Sequence, residues 1–285
     1  VDRFAGKVAV ITGAGSGFGR EFALAGAALG MKLVLADLDT AGLAATVDAL
    51  RAQGADAIGV TADVADAAQV DALARAALDA FGGVHLLFNN AGVGAGGFVW
   101  ENSANDWQWV FGVNVMGIAN GLRAFVPIML EQNEPAHIVN TASVAGLLAA
   151  PAMGVYNASK HAVVALTETL YHDLRLAGAS SIGVSLLCPA FVPTGIANAE
   201  RSRPEALAND TPYTSSQKLA ARQLTKAVEG GKLSARDIAA LTFDAVREGR
   251  FYVISHPNIM ASVQLRLDDI AQLRNPSDPM SFKRG

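Results

Sequence analysis

One cysteine, Cys188, in a chain of 285 residues excludes an intramolecular disulfide framework and points to a reducing compartment. It lies in VSLLCPA, which reads as a buried strand, and no base accompanies it in sequence to make it a nucleophile. Charge is scarce too: 17% of residues are charged, the net value is −4, and no five like charges run together. Neither a nucleic-acid footprint nor a polybasic membrane patch is compatible with that pattern, so small neutral or mildly charged partners are expected. No stretch reaches the roughly 18 uninterrupted apolar residues of a membrane span. Asp, Asn or Thr breaks each apolar run, and the opening VDRFAGKVAVITG lacks the layout of a signal peptide. The expectation is a soluble cytoplasmic protein with no metal site, no internal repeat and no interdomain linker.

What is abundant is apolar residue, 51% of the chain, enough for one large packed domain over residues 1–285. KVAVIT (7–12) is a short β-branched run of the kind buried on both faces of a sheet. The glycine turn GAGSGFG and the helical run REFALAGAALG follow. Glycines at 13, 17 and 19 allow a backbone to approach a pyrophosphate, and the helix start supplies N–H groups and a positive dipole end. The spacing is G-x-x-x-G-x-G and departs from the standard dinucleotide fingerprint, so a turn tightened only for packing is the competing reading. KLVLAD (32–37) then reads as a second strand ending in an acid, 18 residues after Gly19. Asp37, with Leu38 next to it, suits the ribose hydroxyls of an adenosine and repels a 2′-phosphate, which favours NAD over NADP. Capping the helix near Thr40 is the alternative role for Asp37, with Asp39 and Thr40 the nearer candidates.

Strand and helix patterns go on alternating. Helix is expected over 40–53 and 67–81, and strands over DAIGVTADV to Asp63, VHLLFNNAG through Asn89 and Asn90, HIVNTAS (137–143) and IGVSLLCPA. A helix follows over 234–248, and FYVIS is the last strand. This predicts an α/β fold: a doubly wound parallel sheet of about seven strands with helices on both faces and ligands beyond the strands' carboxyl ends. A helix from Trp107 to about Leu130 carries Asn114 and Asn120 among apolar neighbours, and either a packing or a catalytic role suits Asn114. The tryptophans read as packing groups, and Pro127 as a bend. Tyr156 is expected just ahead of a helix over 157–176 that carries Lys160. Four residues apart, the two share a face, and the ammonium is expected to lower the phenol's pKa for acid/base work. Ser143 could hold the substrate oxygen. Residues 193 to about 233 are polar and weakly periodic, a substrate lid or an insert for oligomer contacts. A tail starts at about 256.

With TGAGSGFG, Asp63-Val64, NNAG, Asn114, Ser143 and YNASK in this order, the chain resembles the short-chain dehydrogenase/reductase family from about Phe4 to Ser255. The resemblance implies a Rossmann-type domain, a homotetramer or homodimer, and hydride transfer between NAD(P) and an alcohol or ketone. Tyr156 would be the general acid/base, Lys160 its modulator and ribose ligand, Ser143 the orienting hydroxyl, and Asn114 the residue that positions a relay water. Gly13, Ser16, Gly17, Phe18 and Gly19 would line pyrophosphate and adenosine, Asp63 and Val64 the adenine, and Asn90, Ala91 and Gly92 its ribose. Pro189, Val192 and Thr194 would meet the nicotinamide. Ala190 replaces the usual glycine after that proline, and Phe18 the commoner Ile or Leu. The insert and a tail with Tyr252, His256 and Pro257 are similar to bacterial dehydrogenases of benzylic alcohols in lignin-derived ethers. Candidate pocket walls are Val93, Ala95, Phe98, Val144, Leu147, Met153, Phe191 and Ile196, almost all apolar, which points to a hydrophobic or aromatic secondary alcohol or ketone. The competing functions are an isomerase, dehydratase or epimerase on the same scaffold, and a regulator that binds NAD without turnover.

Overall fold

Alternate residues of each central strand enter opposite layers of the core, so sequence runs that look uniformly apolar are in fact two interleaved faces. The computed structural model describes residues 4–279; residues 1–3 and 280–285 of the expected domain lie outside the described residues. Along the chain come β1 (Val8–Thr12), α1 (Gly17–Ala28), β2 (Lys32–Asp37), α2 (Thr40–Arg51), β3 (Ala57–Thr61), α3 (Ala67–Phe81), β4 (Leu86–Asn89), α4 (Ala104–Phe111) and α5 (Gly117–Gln132). After them come β5 (Ala136–Thr141), α6 (Gly154–Leu176), β6 (Ile182–Cys188), α7 (Ser215–Glu229), α8 (Ala235–Glu248), β7 (Tyr252–Ile254) and α9 (Met260–Ala271).

The strands form one parallel sheet in the order β3-β2-β1-β4-β5-β6-β7. The chain winds outward from β1 to β3, then crosses back to β4, which makes the β1/β4 boundary the switch point where a crevice opens. On one face Ile11, Leu33, Leu35 and Phe88 pack with Phe22 of α1, Leu43 and Leu50 of α2 and Phe243 of α8. The Phe22 and Phe88 rings stack with centroids 4.8 Å apart. On the other face Val10, Val34, Leu87 and Ile138 meet Leu73 of α3, Phe125 and Met129 of α5 and Leu174 of α6. Burial of each such side chain stabilises the fold by roughly 1.5–3 kcal/mol.

Several expected boundaries move. β3 stops at Thr61 and β5 at Thr141, so Asp63 and Ser143 stand in the loops just past the strands. α6 begins at Gly154, which puts Tyr156 in its first turn instead of ahead of it; the Asn157 N–H already bonds the Met153 carbonyl at 2.8 Å. Gly, Val and Tyr are modest helix formers, which hid that start. The helix expected from Trp107 runs from Ala104 to Gln132, but with a π-helical stretch over Gly112–Met116. A π turn holds one residue more per turn than sequence periodicity anticipates, and such turns concentrate at functional sites. By length and composition this continuous helix could cross a membrane. Here α5 packs on α3 and β4. The capping box at Ser234 and Asp237 starts α8 as expected.

Candidate active site

Glycine is the only residue that fits where β1 turns into α1. Gly13 has φ +68°, and a Cβ on it would lie 2.9 Å from the Ala91 Cα across the β1/β4 boundary. A Cβ on Gly19 would stand 2.1 Å from the Gly13 carbonyl oxygen, so α1 can start this close to the strand only without one. Ser16 is the N-cap of α1, yet its hydroxyl makes no capping bond and the first helical turn holds no acid. The N–H groups of that turn and the positive dipole end are thus available to an anion. Phe18 offers only its backbone there, since its ring leans on Phe22 with centroids 6.4 Å apart.

Asp37 ends β2 and braces this turn. Its Oδ2 accepts the Gly15 N–H at 2.7 Å and its Oδ1 the Asp39 N–H at 2.8 Å. The cap of α2 is Asp39, which accepts from the Gly42 N–H at 3.1 Å. Leu38 follows as an exposed apolar side chain. Past β3, Asp63 Oδ1 accepts the Ala65 N–H at 2.9 Å. The Val64 side chain is buried and its carbonyl accepts from Asn120 Nδ2 at 2.9 Å, which settles the partner that a buried Asn120 required.

At the end of β4, Asn90 is fastened to Thr12: its N–H donates to Thr12 Oγ1 and its Nδ2 to the Thr12 carbonyl, both at 2.9 Å. Ala91 N–H also reaches Thr12 Oγ1, at 3.1 Å. Thr12 is therefore a hub of the switch point that sequence reading passed over, its only signal being a hydroxyl at the carboxyl end of a buried strand.

Gly92 joins that hub to Asn114 and Lys160, because a Cβ built on it would lie 3.4 Å from Asn114 Oδ1 and 3.5 Å from Lys160 Nζ. One built on Gly94 would lie 3.3 Å from the Tyr156 ring. Ser143 accepts the Ala145 N–H at 3.1 Å, and its hydroxyl donates to the Pro189 carbonyl at 3.4 Å. Val144 donates its N–H to the Pro189 carbonyl at 3.0 Å. Val192 is buried in the core and so presents only backbone to the crevice, whereas Phe191 is exposed. Thr194 approaches Gly17, its Cβ 3.4 Å from where a Cβ of that glycine would be. Met153 pairs with Gly97 through an isolated bridge at the mouth.

Asn114 is wholly buried and its amide is saturated. Oδ1 accepts the Val93 N–H at 2.8 Å, and Nδ2 donates to the Val93 carbonyl at 2.9 Å and to Ser159 Oγ at 3.0 Å. The side chain thus clamps the segment after β4 to α6. Lys160, also buried, donates to the Thr141 carbonyl at 2.9 Å, and desolvation pushes its pKa down to about 8. Its Nζ lies 5.7 Å from the Tyr156 ring centroid. The expected lowering of the phenol pKa is reversed: burial raises it, and the hydrogen bond with Ser143 offsets only part of that. The ammonium serves the Thr141 carbonyl at the end of β5 instead of the phenol. Burial likewise drives the Cys188 thiol up to about 12, which suits a packing residue.

The segment from 193 to 233 is built, not loose. Short 3-10 helices at Gly195–Ser202 and Glu205–Leu207 precede α7. Arg203 Nη2 pairs with Asp106 Oδ1 at 2.7 Å, with side chains only 5% and 2% exposed, and its guanidinium lies 4.3 Å from the Trp109 ring centroid. Burial pushes the Asp106 pKa up, but hydrogen bonds from Arg203 and Asn209 outweigh it and hold the carboxyl below its ordinary value. Thr214 Oγ1 donates to Glu101 at 2.6 Å, and Ser216 adds a second hydroxyl to the same oxygen. Arg201 Nη2 donates to Ser16 Oγ at 3.3 Å. None of these contacts carries a sequence motif. Trp107 and Trp109 are packing groups, as expected.

This arrangement agrees with what the chain resembles among known proteins. Residues 7–205 match the family model for short chain dehydrogenases. A CLA biosynthesis dehydrogenase/reductase from Lactiplantibacillus plantarum is 37% identical over 94% of this chain and 94% of its own length. A C alpha-dehydrogenase from Sphingobium sp. is 31% identical over 97% and 90%. The crystal structure of a short chain dehydrogenase/reductase from Burkholderia phymatum in complex with NAD is 70% identical, with a TM-score of 0.97 over 99% of this chain and 100% of that one. The chain belongs to the short chain dehydrogenase family and is an oxidoreductase acting on CH–OH groups.

Proposed function

We propose that the chain interconverts a hydrophobic secondary alcohol and its ketone with NAD as the preferred cofactor. The carrying observation is the meeting of Ser143, Tyr156 and Lys160 with Gly92 and Asn114 at the same crevice as the glycine turn. The residues fit a dinucleotide. Gly13 and Gly19 leave no room for a Cβ, the first turn of α1 carries no acid, and the Asp37 carboxylate would repel a 2′-phosphate. Gly13, Ser16, Gly17, Phe18 and Gly19 would hold the pyrophosphate, Asp37 and Leu38 the adenosine ribose, and Asp63 and Val64 the adenine. Asn90, Ala91 and Gly92 would flank the adenosine ribose, and Pro189, Val192 and Thr194 would hold the nicotinamide, with Lys160 on its ribose. A bound nicotinamide takes a hydride from the carbinol carbon, or returns one to the ketone.

Ser143 orients the substrate oxygen beside Tyr156, which takes its proton in oxidation and gives it back in reduction. Lys160, charged below its pKa of about 8, favours the phenolate once the ribose draws it from Thr141. Because burial raises the Tyr156 pKa, oxidation should speed up as pH rises and ketone reduction should slow. Val144, Met153 and Phe191 line the substrate side, and the segment over 193–233 is the cover. The resemblance of the insert and tail to dehydrogenases of benzylic alcohols makes those alcohols the first substrates to screen. Tyr156→Phe should cut turnover by roughly 10²- to 10⁴-fold with NADH affinity unchanged. Near wild-type turnover in that variant would sink the assignment, and tighter binding of NADPH than of NADH would sink the reading of Asp37. We place the protein in the cytoplasm as a homodimer or homotetramer joined through the continuous helix from Ala104 to Gln132 and α6, the former exposing Met116 and Leu130; sedimentation as a monomer would remove that interface.

A further inference from the structure

Arg201 stands apart from its neighbour in the cover segment. Arg203, two residues on, is buried against Asp106 and Glu200. Arg201 has no carboxylate partner among the described residues and is exposed. Its guanidinium folds back onto neutral acceptors at long distances: the Gly195 carbonyl at 3.2 Å, the Asn198 carbonyl at 3.4 Å and Ser16 Oγ at 3.3 Å. Gly195 makes that fold possible, since a Cβ there would lie 2.8 Å from Nη1. The Ser16 hydroxyl it touches is the N-cap of α1 that caps nothing, on a turn with no acid. A full positive charge with weak bonds to neutral oxygens is thus held over the N–H groups of a glycine turn. Two sequence-distant segments, 185 residues apart, contribute the two halves.

We infer that Arg201 is a clamp for the dinucleotide's pyrophosphate, which it would bind opposite the α1 N-terminus, so that the cover segment is fastened when the cofactor is in place. The inference rests on the dinucleotide reading of the glycine turn. Charge-assisted bonds to phosphate oxygens are shorter and about twice as strong as bonds to neutral oxygens, so the guanidinium exchanges its carbonyl partners for the anion. Arginine's planar fork can hold a phosphate and keep Ser16 at the same time.

The test compares wild type with Arg201→Ala and Arg201→Lys. Calorimetry gives the affinities for NADH and ADP-ribose, and thermal shift gives the response to adenosine, which has no phosphate. Arg201→Ala should weaken NADH and ADP-ribose about tenfold, leave the adenosine shift unchanged and flatten the salt dependence seen in wild type; Arg201→Lys should recover part of the loss. NADH should also slow chymotrypsin cleavage of the segment around Tyr213 in wild type and fail to do so in Arg201→Ala. Equal NADH affinities in wild type and Arg201→Ala overturn the clamp, as does an equal loss for adenosine or a loss confined to NADPH. If wild type binds neither dinucleotide, the reading of the glycine turn fails first and the clamp fails with it.

Discussion

The sheet edge and the cover segment are both folded and both touch the crevice, but different physics holds them. At the edge, position is fixed by exclusion and by neutral hydrogen bonds: Gly19 against Gly13, the Asn114 amide filled by Val93 and Ser159, Asn90 tied to Thr12. The segment over 193–233 is held at its roots by charge, through Arg203 to Asp106 and the hydroxyls of Thr214 and Ser216 on Glu101. A packed edge has one geometry and resists salt. A segment pinned by a few polar groups can leave and return as a body, as the proposed role of a cover would require.

That contrast can be broken most severely at Gly19. Gly19→Val should prevent α1 from seating on β1, so that soluble, NADH-binding protein is lost altogether; a variant with a normal melting curve would show that the close approach is dispensable. The sheet's own electrostatic weakness is His137, buried on β5 with Nε2 2.8 Å from Ser185 Oγ and its pKa pushed down by burial to about 3. The unfolded chain takes up that proton near the ordinary histidine value of 6.5 and the folded chain does not, so stability is full above pH 6.5 and falls as pH drops toward 3. At about 1.4 kcal/mol per unit the loss is about 3.5 kcal/mol by pH 4 and of order 5 kcal/mol by pH 3. Denaturant melts from pH 7 to pH 4 should show it, with a shallower slope in a His137→Asn variant that folds. Smaller still is the cover. Arg203→Met strands the Asp106 carboxyl and should cost about 3 kcal/mol, felt as a higher KM and faster proteolysis near Tyr213 with kcat nearly kept. A fall in kcat of the size expected for Tyr156→Phe would mean that the segment shapes the acid/base group itself.

Much of the edge was legible because strands buried on both faces and glycine turns write themselves into residue type. The runs expected at 7–12, 32–37 and 182–190 are strands at Val8–Thr12, Lys32–Asp37 and Ile182–Cys188, within a residue or two. Asp37, Asn90, Ser143 and Pro189 were placed by the rule that parallel strands end on one side. What failed was finer. The π turn around Asn114 breaks helical period, and Gly154-Val155-Tyr156 hid the start of α6. The cover was nearly illegible, since Arg203 bonds Asp106 across 97 residues and Arg201 bonds Ser16 across 185.

The amino-acid sequence alone determined the layered architecture and which residues gather at the strand ends, because hydrophobic period and glycine's missing Cβ act locally. Only the tertiary structure decided the protonation landscape and the partners of the cover. The Tyr156 pKa rises because burial outweighs the hydrogen bond with Ser143, and the Lys160 ammonium turns to Thr141 because that carbonyl is within reach at 2.9 Å. Desolvation and long-range pairing depend on what surrounds a group in space, which residue spacing does not encode.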